Sequence, residues 1–129
     1  MSQLKILHVD DEPDIREVAA LALGIDPEIV VQSAASGLEA LDVLGGGGWT
    51  PDVILLDVMM PELDGPGTLQ RLRALPAHSQ TPVIFMTARA QAPEQQRFID
   101  LGAMAVIIKP FDPMILASQV RDILAGAGS

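Results

Sequence analysis

Cysteine is absent from this sequence, basic residues are few, and no apolar run is long. The lack of cysteine fits a reducing compartment and the start of the chain shows no signal peptide, so we expect a cytoplasmic protein. Only eight Lys and Arg residues stand against 17 Asp and Glu residues, a net charge of −9. This balance argues against direct DNA binding, which requires clustered basic residues. The apolar runs are far too short to span a bilayer, so no membrane association is expected.

Apolar residues are nevertheless abundant enough for a buried core. They make up 49% of the 129 residues, more than a disordered chain would carry. A chain of this length fits one domain, so we expect residues 1–129 to be a single domain. Its core is predicted at about residues 4–125, with a short tail at 126–129. We therefore expect no output domain within these 129 residues.

Five short apolar runs alternate with helix-length segments. Each run is bounded by turn residues and is apolar at nearly every position, which predicts strands covered on both faces. This pattern is typical of a parallel sheet with crossover helices, a doubly wound α/β fold. The predicted strands are residues 4–9, 29–31, 53–56, 82–86 and 105–108.

The segments between the runs predict five helices. Pro13 suits the first turn of the first helix, and Ser36 with Glu39 three residues later predicts a capping box for the second. That helix is expected to end at the glycines of residues 45–48, in a mobile loop whose far end Trp49 anchors. The predicted helices are residues 13–23, 36–44, 68–74, 93–101 and 113–124.

Polar residues stand where four of the predicted strands end. Asp10 and Asp11 follow the first strand, Asp57 the third, Thr87 the fourth and Lys109 the fifth. Ligands of parallel sheets bind at the carboxyl ends of the strands. We therefore expect these residues, far apart in sequence, to converge on one crevice.

Three carboxylates in one crevice require cations. At about 5 Å and an effective dielectric constant near 20, each pair repels by roughly 3 kcal/mol. Oxygen ligands without Cys or His favour Mg²⁺, or Mn²⁺, over zinc, and Lys109 adds a second positive charge. A carboxylate in this setting can attack phosphorus and form an aspartyl phosphate, with the metal ion, Lys109 and Thr87 bonding to the phosphoryl oxygens.

Four short motifs carry this pattern along the chain. They are Val9-Asp10-Asp11-Glu12, Leu55-Leu56-Asp57-Val58-Met59-Met60-Pro61, Met86-Thr87-Ala88 and Lys109-Pro110-Phe111. In order and spacing the chain resembles the receiver domain of bacterial two-component response regulators, of the chemotaxis-regulator type. The likeness spans essentially the whole chain, including Asp64-Gly65, and implies a flavodoxin-like (βα)5 fold with strand order 2-1-3-4-5.

The resemblance also implies a role for each site residue. Asp57 would accept a phosphoryl group from a sensor histidine kinase or a histidine phosphotransfer protein. Asp10, Asp11, Asp57 and the backbone carbonyl of Met59 would hold Mg²⁺. Lys109 would pair with the phosphoryl group, its peptide bond to Pro110 is usually cis in the family, and Thr87 would swing toward the phosphoryl group as the switch. Such a protein modifies itself rather than turning over a substrate, then acts on a downstream effector as a monomer or weak dimer.

Several positions depart from the family pattern. Val106 stands where most receivers have Tyr or Phe, so the aromatic half of the switch is missing. Met104 and Ala105 replace the acidic residues of a charged dimer face, so an apolar docking face is expected there instead. Met59 and Arg89 flank the path of the hydrolytic water and offer no base, which predicts a phosphoryl group that lasts minutes or longer.

Two other functions fit the sequence less well. A haloacid-dehalogenase-like phosphatase needs an acid two residues after its nucleophile, where this chain has Met59 after Asp57. A phosphorylation-independent interaction module is favoured by the missing aromatic but opposed by the intact Asp57 and Lys109.

Two histidines are predicted to lie outside the site. His8 is predicted to pack within its strand rather than bind metal, and His78 to face solvent in a loop.

Overall fold

The computed structural model describes residues 3–89 and 91–127. Five parallel strands form a sheet in the order β2-β1-β3-β4-β5, which confirms the predicted topology. The strands are β1 (Leu4–Val9), β2 (Ile29–Ala34), β3 (Val53–Asp57), β4 (Val83–Thr87) and β5 (Ala105–Ile108).

Five helices cover the two faces of this sheet, as a doubly wound fold requires. They are α1 (Pro13–Leu23), α2 (Gly37–Gly45), α3 (Gly65–Arg73), α4 (Ala92–Asp100) and α5 (Leu116–Ala127). Helices α1 and α5 pack on one face, and α2, α3 and α4 pack on the other. No helix of the described residues is long and apolar enough to cross a membrane.

The central strands explain the continuous apolar runs. Every residue of β3 and β4 is buried. Alternate residues point to opposite faces, so Val53 and Leu55 pack beneath α1 and α5 while Ile54 and Leu56 pack on the other side. Trp49 is half-buried against the apolar residues on the side of the sheet that α2, α3 and α4 cover, which confirms that it anchors the end of the glycine loop.

Helix and strand boundaries differ from the prediction where polar side chains or backbone pairing decide them. Strand β2 continues through Gln32 and Ser33, which are exposed but still pair with β1. Helix α3 begins at Gly65, three residues early, because the Asp64 carboxylate accepts the Gly67 amide at 2.8 Å. Helix α2 begins after Ser36, whose hydroxyl accepts the Glu39 amide at 3.0 Å, and includes Gly45.

Helix α5 is shifted relative to its predicted range of 113–124. It begins at Leu116, because the Met114 amide bonds to the Asp112 side chain at 2.9 Å and residues 113–115 form a turn. It continues to Ala127, so part of the expected tail is helical. Gly128 and Ser129, the rest of that tail, lie outside the described residues.

The prediction that His78 faces solvent is wrong. The residue is only 2% exposed, and its Nδ1 lies 3.0 Å from Thr81 Oγ1. A short 3-10 helix, Pro76–His78, brings it inward. Arg73 Nη1 then donates to the carbonyl oxygens of His78 and Thr81, at 3.0 and 2.6 Å, and holds the loop against the end of α3. The sequence of this loop, which contains Pro76 and Pro82, gives no sign of the tertiary contact.

Candidate functional site

The three aspartates converge at the carboxyl edge of the sheet, as their positions predict. Asp10 follows β1 and is fully buried, Asp57 ends β3 and is 4% exposed, and Asp11 is half-buried at the rim. One carboxylate oxygen from each lies within 4.8 Å of the others. The adjacent strands β1 and β3 therefore bring residues 46 or more positions apart into one acidic cluster.

Lys109 completes the cluster from the end of β5. Its Nζ donates to Asp10 Oδ2 at 3.0 Å and to Asp57 Oδ1 at 3.3 Å, and its side chain is 17% exposed. Its backbone amide donates to the Thr87 carbonyl at 2.8 Å, which ties it to the end of β4. The Lys109–Pro110 peptide bond is cis, as the resemblance implies.

Local hydrogen bonds fix the orientation of both buried aspartates. The Glu12 amide donates to Asp10 Oδ1 at 2.9 Å, and Arg16 Nη1 donates to the Asp10 carbonyl at 2.8 Å. The Met59 amide donates to the Asp57 carboxylate. The amphipathic pattern of α1 leaves Arg16 on its polar side, so the sequence does not indicate this contact. The only available signal was its place one turn after Pro13, on the helix end nearest the site.

The first turn of α3 closes tightly on the end of β3. The Gly65 amide donates to the Val58 carbonyl at 2.9 Å. A Cβ atom at position 65 would lie 2.7 Å from the Asp57 carbonyl oxygen and 2.9 Å from Val58 Cα. Only glycine permits this approach, so Gly65 sets the position of the backbone that carries Asp57.

Thr87 ends β4 beside the cluster and is 1% exposed. Its Oγ1 accepts the Arg89 amide at 3.1 Å. Because a hydroxyl both accepts and donates, this contact leaves its O–H available to donate. The side chain thus lies between the sheet and the loop that leads to α4.

Carboxylates outnumber positively charged groups in the cluster. Burial raises the pKa of Asp57 to about 6, and the charge of Asp10 adds to the effect while Lys109 opposes it. Burial alone would lower the pKa of Lys109, but its bonds to Asp10 and Asp57 and their charges outweigh burial and raise it. A single ammonium therefore faces three carboxyl groups, and a further cation would stabilise their ionised forms.

The donor set of the cluster fits Mg²⁺ or Mn²⁺. It consists of carboxylate oxygens alone, two on buried residues and one on the half-buried Asp11. Hard divalent ions prefer such oxygens and keep some water ligands, which the open rim at Asp11 permits. His8 is not part of the cluster: it is fully buried in β1, and burial lowers its pKa to about 4, so it packs as the neutral ring that was expected.

Met59 and Arg89, which were predicted to flank the path of the hydrolytic water, lie close to each other. Both line a cavity of about 190 Å³ that Val58 and Asp64 also border. The Met59 side chain is 66% exposed. Arg89 is mostly exposed and its Nη1 lies 3.6 Å from Glu94 Oε1, an ion pair that the sequence did not reveal.

The fold and the site define a doubly wound α/β protein with an acidic, lysine-paired crevice at the ends of its strands. A family model described as the response regulator receiver domain matches residues 6–121. The response regulator Rre1 of Synechocystis is 37% identical over 122 residues, which are 95% of this chain and 52% of that protein. The "Probable transcriptional regulator ycf27" of Porphyridium aerugineum is 39% identical over 124 residues, 96% of this chain and 49% of that protein.

The solved structures agree with these sequence matches. The chemotaxis protein CheY4 of Vibrio cholerae superposes with a TM-score of 0.84 at 30% identity, over 95% of this chain and 99% of that one. The chain therefore belongs to the response regulator receiver domain family, a family of signalling modules. It spans about half the length of the curated relatives that it matches.

Proposed function

We propose that this protein accepts a phosphoryl group on Asp57 in a Mg²⁺-dependent reaction and thereby changes its binding to an effector. The carrying observation is the placement of the Asp57 carboxylate, 3.3 Å from Lys109 Nζ and within 4.8 Å of the Asp10 and Asp11 oxygens. This arrangement offers a nucleophile and, beside it, the charges that a phosphoryl group needs.

In the proposed step an Asp57 oxygen attacks the phosphorus of a phosphohistidine. The new P–O bond forms as the P–N bond breaks, and the leaving imidazole takes up a proton. With a pKa of about 6, Asp57 is mostly ionised at neutral pH and able to attack. Lys109 exchanges its bond to Asp57 for one to a phosphoryl oxygen. Mg²⁺ held by Asp10, Asp11, Asp57 and the Met59 carbonyl would neutralise the other oxygens.

Thr87 is the proposed switch. Its O–H has no acceptor within the described residues and can turn to donate to a phosphoryl oxygen, which would release the Arg89 amide from its bond to Oγ1. The loop before α4 would then move. Val106 pairs with Phe85 across β4 and β5 and is half-buried, so no aromatic ring there can report the change. We propose that the signal passes through the backbone of this loop and the Met104–Val106 face.

The proposed donor is a sensor histidine kinase or a histidine phosphotransfer protein. Exposed apolar side chains support a docking surface on α1, the residues just after it and the turn before α5, which lie on one face of the sheet. These exposed side chains are Val18, Leu21, Ile25, Met114 and Ile115.

We further propose that residues 1–129 act as one receiver unit. With its net charge of −9 this unit would not contact DNA, although a relative twice as long is named a transcriptional regulator.

Intact mass after incubation with acetyl phosphate tests the proposal. We expect a gain of one phosphoryl group that requires Mg²⁺ and is lost in Asp57→Ala. An unmodified chain of confirmed fold would instead support a phosphorylation-independent module. Steady turnover of p-nitrophenyl phosphate would support a phosphatase, but the residue two after Asp57 is Met59, whose exposed thioether offers no acid.

A further inference from the structure

A groove of about 520 Å³ lies between α3 and α4, away from the acidic crevice. Its volume is within the range of sites that hold ligands. Buried Leu69 and the 47% exposed Leu101 give it an apolar lining. We call it the α3–α4 groove, lined by Pro66, Leu69, Gln70, Arg73, Arg97 and Leu101.

The charge of this groove is opposite to that of the whole protein. Acidic residues outnumber basic ones by 17 to 8 in the chain. The lining of the groove nevertheless includes two arginines, Arg73 and Arg97, and no aspartate or glutamate. A cleft of one sign on a surface of the other sign concentrates oppositely charged partners. The groove is therefore complementary to an acidic partner.

Neither arginine forms an ion pair with a carboxylate of the described residues, and Arg97 also borders the cavity of about 190 Å³ that Asp64 and Glu94 line. Arg73 is half-buried and its Nη1 donates to two backbone carbonyl oxygens, while burial lowers its pKa. Arg97 lies over the Phe98 ring, 5.8 Å from its centre, and forms no ion pair in the described part of the chain. Arg121, by contrast, is paired with Asp26. A guanidinium without a counter-ion gains most from an incoming carboxylate.

We propose that the α3–α4 groove docks an acidic peptide segment of a partner protein. Its carboxylates would pair with Arg73 and Arg97, and an apolar side chain would contact Leu69 and Leu101. The two guanidinium groups come from different helices, which suits separate carboxylates along a segment. The Gly67 amide at the start of α3 is already held by Asp64, so it is not available to a phosphate. The net charge of −9 would repel a long polyanion, whereas a short segment meets only the groove.

Peptide selection on the unphosphorylated full chain tests this docking site independently of the chemistry at Asp57. Peptides selected from a random display library are labelled, and their affinity is measured by fluorescence anisotropy. We expect acidic peptides with at least one apolar residue. Their binding should weaken at least about tenfold in Arg97→Glu. It should be unchanged in Arg71→Glu, the matched control on the exposed side of α3.

Several outcomes would overturn the proposal. They are selection of no peptide, selection of basic or neutral peptides, and equal loss of binding in both variants. Self-association of the chain that Arg97→Glu abolishes would assign the groove to a second copy instead. Arg97→Gln, which removes the charge without adding a negative one, should give the same direction of effect if the Glu variant does not fold.

Discussion

At the scale of single residues, Asp57 is held in an environment that opposes its own charge. Its pKa is raised to about 6 from 3.8, chiefly by burial. Between these two pH values the folded protein binds more protons than the unfolded chain, so folding stability falls as pH rises through this window. The full loss of stability caused by ionising the buried Asp57 is present at neutral pH, where the protein is proposed to act. The ionised form of Asp57, which is able to attack phosphorus, therefore lowers the free energy of unfolding.

Asp57→Asn should remove this cost. In metal-free buffer we expect the variant to have a free energy of unfolding about 2 kcal/mol higher than the wild type at pH 7. The difference should be much smaller at pH 4, where Asp57 is protonated in the folded state and close to half-protonated in the unfolded chain. His8 has the opposite effect on stability, because its lowered pKa of about 4 makes stability fall as pH drops below 6.5. The wild type and the variant both contain His8, so its effect cancels in the difference between them. Urea unfolding at the two pH values measures the difference, and a gain that is the same at both would contradict the account.

Met59 is predicted to shield the phosphoryl group from water. Met59→Asn replaces an apolar side chain two residues after Asp57 with a polar amide. The lifetime of phospho-Asp57 should therefore be shorter in this variant than the minutes or longer expected for the wild type. Decay of the phosphorylated mass after removal of acetyl phosphate measures the rate. Met114→Asn is the matched control, since Met114 is exposed to a similar extent, 75% against 66%, but lies in the turn before α5. A slower decay in Met59→Asn, or wild-type decay within seconds, would refute the prediction.

At the scale of elements, α1 is the proposed platform for the phosphodonor. Leu21 is 70% exposed on this helix, three residues after the exposed Val18, so the two side chains form a small apolar patch. Leu21→Glu should slow phosphotransfer from a histidine kinase at least about tenfold, because it puts a charge into an apolar contact. Phosphorylation by acetyl phosphate needs no docking and should keep its rate.

The matched control for this prediction is Leu38→Glu on α2. Leu38 is also an exposed leucine, at 45%, but lies on the opposite face of the sheet. Its substitution should leave both rates unchanged. If the two variants slow kinase-dependent transfer equally, the donor does not dock on α1.

The elements themselves could be predicted from the sequence, because burial on both faces makes the central strands continuous apolar runs and the other strands contain shorter ones. Their ends could not, because these depend on single contacts. The Asp64 cap starts α3 early, the Asp112 turn delays α5, and pairing with β1 extends β2 through polar residues. His78 is the clearest case, since its burial follows from hydrogen bonds by Arg73 that no local pattern encodes.

The site was predictable for a related reason: parallel strands end at one edge, so their terminal residues meet. The sequence could not reveal that Lys109 bonds to both Asp10 and Asp57, or that Arg16 supports Asp10 through its carbonyl oxygen. These contacts depend on side-chain geometry within a few ångströms. The pairing of Arg89 with Glu94 was hidden in the same way.

At the scale of the whole molecule, Mg²⁺ should couple to folding. The carboxylate cluster exists only in the folded state, so the ion binds that state preferentially and raises the melting temperature. At a concentration about 100 times Kd the gain is about 2.7 kcal/mol. Asp11→Asn should reduce the shift, while Asp42→Asn, an exposed acid on α2 outside the cluster, should preserve it. Equal Mg²⁺-induced shifts in the two variants, measured by thermal unfolding, would place the ion elsewhere.

The most direct test of the central claim is to locate the phosphoryl bond. Borohydride reduces an acyl phosphate to an alcohol, so treatment of the acetyl phosphate-modified protein should convert Asp57 to homoserine, detected by tandem mass spectrometry of its peptide. We expect homoserine at position 57 only, and only when Mg²⁺ was present during phosphorylation. Homoserine at position 10 or 11, or a phosphoryl group that resists borohydride, would contradict the assignment of Asp57 as the acceptor.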